Sequence, residues 1–496
     1  MRPHHAPANR HRTRTLQDRW VEWECHFLQC AFIHLAPREK QREADIQVDA
    51  FSFEAAHEWN PEFSRAAAHF LNSIYSVSVI FSGLGRIKMK THLLAVSLLT
   101  GCLLTVSSST VAQNVTAGNA KNSGAMPPPS IPTFSTESLG RMSHFYVGGH
   151  YVGAPGKEQM DGAMYVEVWV PKQIRKPYPI VMFHGNGQTG AVWQQTPDGR
   201  PGWAYYLIDQ GYVVYMVDYP ARGRSPYVPG VDGNLGIRTA LELEQIWTAP
   251  ETSGGEFPRK NKYTQWPSNS PKKGMMGDPV FDNFIKGQMQ FVSNQAELAV
   301  PAGIALLDLI GKPVILLTHS QGGGIGFDIA EKRSHFIAGM VAIEPGGPQI
   351  GNVDTAKVTY TKTNPSSWGL TTTPMEFDPP IKSPSELKVH LEPSERHGDE
   401  VGCYLQDEPP HKLVHFQNMR ILSISAEGTY HRVYDSCIPK WLNQAGAKDD
   451  FVRLEDVGIH GNMHEMFLDK NSDDVIKFID GWLRKNINNK SGPATR

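Results

Sequence analysis

Residues 313–324 read Pro313-Val314-Ile315-Leu316-Leu317-Thr318-His319-Ser320-Gln321-Gly322-Gly323-Gly324. A continuous apolar, β-branched run stops abruptly at a serine followed by glycines. Such a run is what a strand shows when both of its faces are covered, as in the middle of a parallel sheet. Val314 to Leu317 is therefore predicted to be a buried central strand, followed by a sharp turn and the start of a helix. A serine on that turn is lifted clear of the sheet, where a base can reach its hydroxyl from one side and a carbonyl from the other. Ser320 is the candidate nucleophile. The pattern departs from G-x-S-x-G at its first position, where Thr318 stands, and a β-branched side chain there must be accommodated by its neighbours. The stretch alone also fits a plain Ser-Gln-Gly turn, so the remainder of the chain has to decide.

Strand-like runs recur at His150 to Val152, Ala163 to Val170, Pro179 to Phe183, Tyr212 to Val217, Ile337 to Ile343, Met419 to Ser425 and Phe451 to Leu454. Between several of them lie helical patterns, at Trp203 to Asp209, Gln295 to Leu309 and Val475 to Lys485. This alternation predicts an α/β protein with a mostly parallel central sheet flanked by helices. Two intervals rich in Pro and Gly, 226–294 and 348–417, interrupt it. Loops of that length inside a compact domain are usually lids or binding loops. The first holds Trp247, Trp266, Met275, Met276 and Phe281, which could line a pocket, although packing on the lid's own underside is expected of most of them.

Ile180 to Phe183 leads into His184-Gly185-Asn186-Gly187-Gln188-Thr189-Gly190. A glycine-rich loop after a strand lets backbone N–H groups approach a substrate oxygen without side chains in the way. The candidate donors are the amides of Asn186 and of Gln321, the residue after the serine. A serine hydroxyl also needs a histidine base, and the histidine needs a carboxylate to fix its tautomer. The last predicted strand runs into Ile459-His460-Gly461-Asn462-Met463-His464 and offers two histidines that spacing does not separate. The pair also suggests a metal site, but Gly461 and Asn462 between them make a regular helix poor, so no metal is expected. The acid is open as well: Glu344 follows Val341-Ala342-Ile343 and precedes Pro345-Gly346-Gly347, whereas Glu427 ends the next predicted strand. Asp218, with Arg222-Gly223-Arg224-Ser225 after it, reads as a hydrogen-bonded turn.

With these residues in view the chain resembles the α/β-hydrolase superfamily. More narrowly, it is similar to a group of secreted bacterial esterases whose acid is a glutamate after the sixth strand. The matching stretches are His184-Gly185 with Gln188-Thr189-Gly190, Thr196-Pro197-Asp198-Gly199-Arg200-Pro201-Gly202-Trp203, Gly223-Arg224-Ser225, His319-Ser320-Gln321, Glu344-Pro345-Gly346 and His460-Gly461-Asn462-Met463-His464. The resemblance implies an α/β-hydrolase fold with long lid-like insertions. It also implies a triad of Ser320, Glu344 and His464, with the oxyanion held by the Asn186 and Gln321 amides. It thereby prefers His464 over His460 and Glu344 over Glu427. Where the group's best-known member has adjacent cysteines in the oxyanion loop, this chain has Asn186-Gly187, so redox tuning of that loop is not expected.

The 496 residues are 40% apolar, enough for a sizeable core, and Lys+Arg 48 against Asp+Glu 50 gives no basic field to attract nucleic acid. Residues 1–88 have no readable fold. Arg86, Lys88 and Lys90, the apolar run Leu93 to Val106 and the small residues ending at Ala112 follow the order of a secretory signal peptide, with translation expected to start at Met89. The run is too short for a stable membrane span. Leu99-Thr100-Gly101-Cys102 also resembles a lipobox, but the apolar run continues past Cys102, which favours cleavage after Ala112 and a secreted or periplasmic protein. Residues 113–140 read as a flexible linker, 141–488 as the hydrolase domain and 489–496 as a tail. Cys403 and Cys437 are placed to pair if the chain is exported. The expected activity is hydrolysis of a small carboxylic ester through an acyl-enzyme, without cofactor. Amide, thioester or lactone cleavage, and a non-catalytic exported binding protein on the same scaffold, are the alternatives.

Overall fold

The computed structural model describes residues 127–362, 368–371 and 373–488. Residues 1–88, the signal peptide read at Met89 to Ala112 with Cys102 inside it, and the tail 489–496 lie outside the described residues. Eight strands form the main sheet: β1 (Leu139–Val152), β2 (Gln159–Pro171), β3 (Ile180–Phe183), β4 (Val214–Asp218), β5 (Val314–His319), β6 (Ile337–Ile343), β7 (Arg420–Ser425) and β8 (Lys448–Arg453). Their order is β1-β2-β4-β3-β5-β6-β7-β8. β1 and β2 run antiparallel at one edge, and the other six strands are parallel to one another. This is the α/β-hydrolase fold.

Helices α1 (Trp203–Asp209), α2 (Pro279–Lys286), α3 (Gln295–Ile310), α4 (Gln321–Lys332), α5 (Cys437–Gln444) and α6 (Ser472–Leu483) surround the sheet. All six residues of β5 are buried. Because strand side chains alternate between faces, Val314 and Leu316 join Phe183, Leu306, Leu307 and Phe327 in one core cluster. Ile315 and Leu317 join Trp203, Leu207, Ile476 and Ile479 in the other. The unbroken apolar run is therefore two half-patterns, one for each layer of helices. Truncating one of these leucines to Ala would cost about 2–5 kcal/mol.

The edge differs most from the sequence reading. β1 begins at Leu139, well before the predicted His150 to Val152 and ahead of Arg141, because most of its side chains face solvent and leave no apolar run to read. In the interval 226–294, a capping box between Thr239 and Glu242 starts a helical stretch that continues through Thr248. Trp247, Trp266 and Phe281 are buried in the second core cluster, while Met275 is half-buried and Met276 exposed. The aromatic residues thus pack the underside of the insertion. In the interval 348–417, short two-stranded pairings are tied to α5 by a disulfide between Cys403 and Cys437. No helix among the described residues is long and apolar enough to cross a membrane.

Candidate active site

Ser320 sits between β5 and α4 with φ 52° and ψ −119°, a conformation that strains any residue with a side chain. Three backbone bonds hold it. Its N–H donates to Ile343 O at 3.0 Å, and its carbonyl accepts from Gly323 N at 2.8 Å and Gly346 N at 3.0 Å. Thr318 is accommodated by a glycine on the other side of the turn. A Cβ at Gly326 of α4 would lie only 2.7 Å from Thr318 Cγ2, so the missing side chain there makes room for the threonine methyl.

Glu344 ends β6 and is likewise left-handed, with φ 42°. Its side chain is fully buried and accepts three hydrogen bonds: Ala426 N at 2.8 Å on Oε1, Thr429 Oγ1 at 2.8 Å on Oε2, and His464 Nδ1 at 2.6 Å on Oε2. Burial raises its carboxyl above the usual range, opposed by nearby His431 and by the Ala426 and Thr429 donors. His464 is also fully buried. Burial, with His431 and Arg238 beside it, pushes its imidazole well below 6.5. The ring is therefore neutral at neutral pH, and the bond to Glu344 puts its proton on Nδ1 and a lone pair on Nε2. That Nε2 is buried and has no hydrogen-bond partner among the described residues.

His319, the neighbour of Ser320, ties the serine's turn to the histidine loop, its Nε2 donating to the His464 carbonyl at 3.0 Å. The His464 ring is packed by His319 and His431, each at 4.5 Å between centroids, and by Tyr430 at 5.2 Å and Trp247 at 5.7 Å. The competing residues pair elsewhere. His460 Nδ1 lies 3.2 Å from Glu427 Oε2, with the histidine side chain 63% exposed, and Glu427 also accepts from Gly461 N at 3.0 Å and Arg259 Nη2 at 3.2 Å.

The glycine loop lies against the serine. A Cβ on Gly185 would come within 2.7 Å of His319 Nδ1 and 3.2 Å of Ser320 Cβ, so only glycine allows this approach. Tyr219 donates to His184 O at 2.8 Å, and Arg222 donates to Gly185 O at 3.1 Å, Gln295 Oε1 at 2.7 Å and Gln321 Oε1 at 3.1 Å. Arg238 donates to Asn186 Oδ1 at 3.0 Å. The amides of Asn186 and Gln321 donate to no backbone carbonyl among the described residues. A cavity of about 300 Å³ opens beside Gln321, Pro345 and Gly346, and a larger one of about 550 Å³ is lined by Thr189, Phe284 and Gln288; neither is lined by Ser320 or His464.

Asp218 fills the structural place read from the sequence, accepting from Gly190 N at 2.8 Å and Arg224 Nε at 2.8 Å. Arg222, for whose turn the sequence allows a pocket contribution, does reach the Gly185 carbonyl and the Gln321 side chain, whereas Arg238, Thr429 and His431 do not stand out in the sequence as parts of the site. Their signals are single polar residues in loops, meaningful only once the fold brings them in. His431 is buried, donates from Nδ1 to Asp435 Oδ1 at 3.0 Å, and has its imidazole pushed down to about 4 by burial. Two buried groups have metal-ligand types within 4.8 Å of one another, His319 with His464 and Glu465, and Glu344 with His431 and His464. Both depend on His464, whose Nδ1 is already engaged by Glu344.

No family model matches this chain. It is 38% identical over 348 residues to a protein named "Probable secreted lipase phiG" from Fungal sp. (strain ATCC 74256), a match covering 69% of this chain and 89% of that one. Among solved structures it is similar to a novel bacterial esterase, at 20% identity and a TM-score of 0.49, over 73% of this chain and all of that one. It is also similar to a thermostable esterase from Pseudomonas putida ECU1011, at 12% identity and a TM-score of 0.35, over 72% of this chain and 86% of the other.

Proposed function

This chain belongs to the same family as the probable secreted lipase phiG, and from that membership we propose that it is a secreted serine hydrolase of carboxylic esters. The observation that supports the mechanism is the sealed Glu344–His464 pair, with an unpartnered Nε2, on a loop hydrogen-bonded to His319, the residue before a serine on a strained turn. His464 Nε2 takes the Ser320 proton as Oγ attacks the ester carbonyl. The charge that develops on the carbonyl oxygen is met by the Asn186 and Gln321 amides. The imidazolium, stabilised by Glu344, returns the proton to the departing alcohol. Water then enters by the same route and attacks the acyl carbon as it gives its proton to His464, and the acid departs as His464 returns that proton to Ser320 Oγ.

Replacing Ser320 with Ala is expected to abolish turnover of nitrophenyl acyl esters and labelling by a fluorophosphonate. Unchanged turnover in that variant would reject the reading. Export would run through the segment Met89 to Ala112 with cleavage after Ala112, and N-terminal sequencing of protein recovered outside the cell tests this. A mature chain beginning at Cys102 would point to lipid anchoring instead.

A further inference from the structure

The residue after His464 is also buried, and it faces the oxyanion loop. Glu465 Oε2 accepts from Gln188 Nε2 at 2.6 Å, and Gln188 Oε1 accepts from the Gly185 amide at 3.3 Å. Glu465 and Gln188 are 2% and 0% exposed. A short chain of hydrogen bonds thus runs from the histidine loop to the amide of Gly185, the residue before Asn186. Glu465 Oε1 is buried with no partner among the described residues.

We propose that Glu465 is a positioning residue for ester hydrolysis: through Gln188 it ties the loop that carries His464 to the loop that carries the Asn186 amide, so that base and oxyanion donor keep a fixed separation. This rests on the ester-hydrolase reading of the same site. The ionisable groups around Glu465 come from several elements. Glu344 follows β6, Asp469 lies further along the histidine loop, Tyr263 is in the 226–294 insertion and Tyr430 follows β7. His319 ends β5 and, with His464, lies within 4.8 Å of it.

Burial first, then the charges of Glu344 and Asp469, push the Glu465 carboxyl up to about 8. At neutral pH it is a neutral acid, with Oε2 accepting from Gln188 and the proton available to Oε1. Once ionised it holds a second buried charge near Glu344, and one of its oxygens has no donor. A buried charge without partners draws in water or moves. The link to the oxyanion loop then loosens, and activity falls on the alkaline side.

The experiment uses the full chain and measures kcat and KM on a nitrophenyl acyl ester from about pH 6 to about pH 10, beside fluorophosphonate labelling. Glu465→Ala is expected to lower kcat about tenfold with KM within about twofold, a fraction of what losing an oxyanion donor outright costs. Glu465→Gln, which still accepts from Gln188 but cannot ionise, is expected to recover most of that kcat and to lose the decline near pH 8 seen in the wild type. The same alkaline decline in Glu465→Gln overturns the proposal, as does unaltered kcat in Glu465→Ala. Should Glu465→Ala fail to fold, Gln188→Met cuts the chain at its other end and carries the same expectation, with unaltered kcat again overturning it. A wild-type protein that neither labels nor turns over ester overturns the ester-hydrolase reading itself. A labelled, active wild type with an unmoved alkaline limb in Glu465→Gln overturns only the role of Glu465.

Discussion

Glu344–His464 and Glu427–His460 are built from the same two residue types, with both histidines on one loop and the glutamates after β6 and after β7, but one pair is sealed and the other has its histidine in water. In the sealed pair the carboxylate collects three donors, the histidine has one nitrogen engaged and one free, and neither side chain is exposed. In the open pair the histidine is mostly solvated, and the carboxylate is shared with Arg259 and the Gly461 amide. Coulombic and hydrogen-bond terms grow as the local dielectric falls. A histidine held beside a carboxylate at a protein surface gains little from it, because water and salt screen the pair. What separates His464, the proposed base, from the surface histidine His460 is the packing around it.

The sharpest way to break this contrast is Glu344→Gln, which keeps the shape but leaves the wrong tautomer on His464. It is expected to cut kcat on a nitrophenyl acyl ester about a thousandfold or more. Glu427→Gln should leave kcat within about threefold. The reverse order would exchange the roles of the two pairs.

Thr429→Val removes one of the three donors to Glu344 while leaving the carboxylate in place. Loss of a buried hydrogen bond to a charged group is worth about 1.5–3 kcal/mol, so kcat is expected to fall roughly ten- to a hundredfold, with KM little changed. A Thr429→Val enzyme with wild-type kcat would show that the Ala426 amide and His464 suffice.

The pH profile sharpens the comparison next. His464 must be neutral to accept the serine proton, and a base is neutral above its pKa. Since burial lowers that value well below 6.5, kcat/KM is expected to stay level as pH falls through about 6.5 and to drop only at lower pH. An acid limb centred at or above about 6.5 would mean that the imidazole is solvated in the working enzyme.

The smallest effect belongs to His460→Ala. A mostly exposed pair contributes about 0–1 kcal/mol, so the melting temperature should shift slightly, and the shift should vanish at roughly 1 M salt. A salt-insensitive loss larger than that would place His460 in the core of the loop.

These contrasts also mark where the sequence could be read and where it could not. β5 and its turn were legible because an apolar strand ending at Ser-x-Gly is a local pattern, and every residue of it is buried. The choice between the two pairs was not legible from spacing. Each glutamate ends a strand and each histidine lies in one loop, and only three-dimensional packing distinguishes them. Thr318 looked like a defect in the motif, because the residue that makes room for it, Gly326, lies beyond the turn within the next helix. Glu465 and Gln188 are silent for a similar reason: each is a common polar residue, and their meaning lies in a contact across the fold. β1 was mostly missed because an edge strand with solvated side chains carries no apolar pattern.

The bond from Ser320 N to Ile343 O joins the Ser320 turn directly to β6, the strand that Glu344 follows. The backbones that carry Ser320 and Glu344 are consequently spaced as adjacent strands are, about 4.8 Å, and no loop length enters that spacing. The interval from 348 to 417 begins only after Glu344, so evolution or a designer can shorten, lengthen or exchange it without moving Glu344 relative to Ser320. Under the proposed triad that interval becomes an interchangeable module, in which new specificity can be tried while Ser320 and Glu344 stay registered by the sheet.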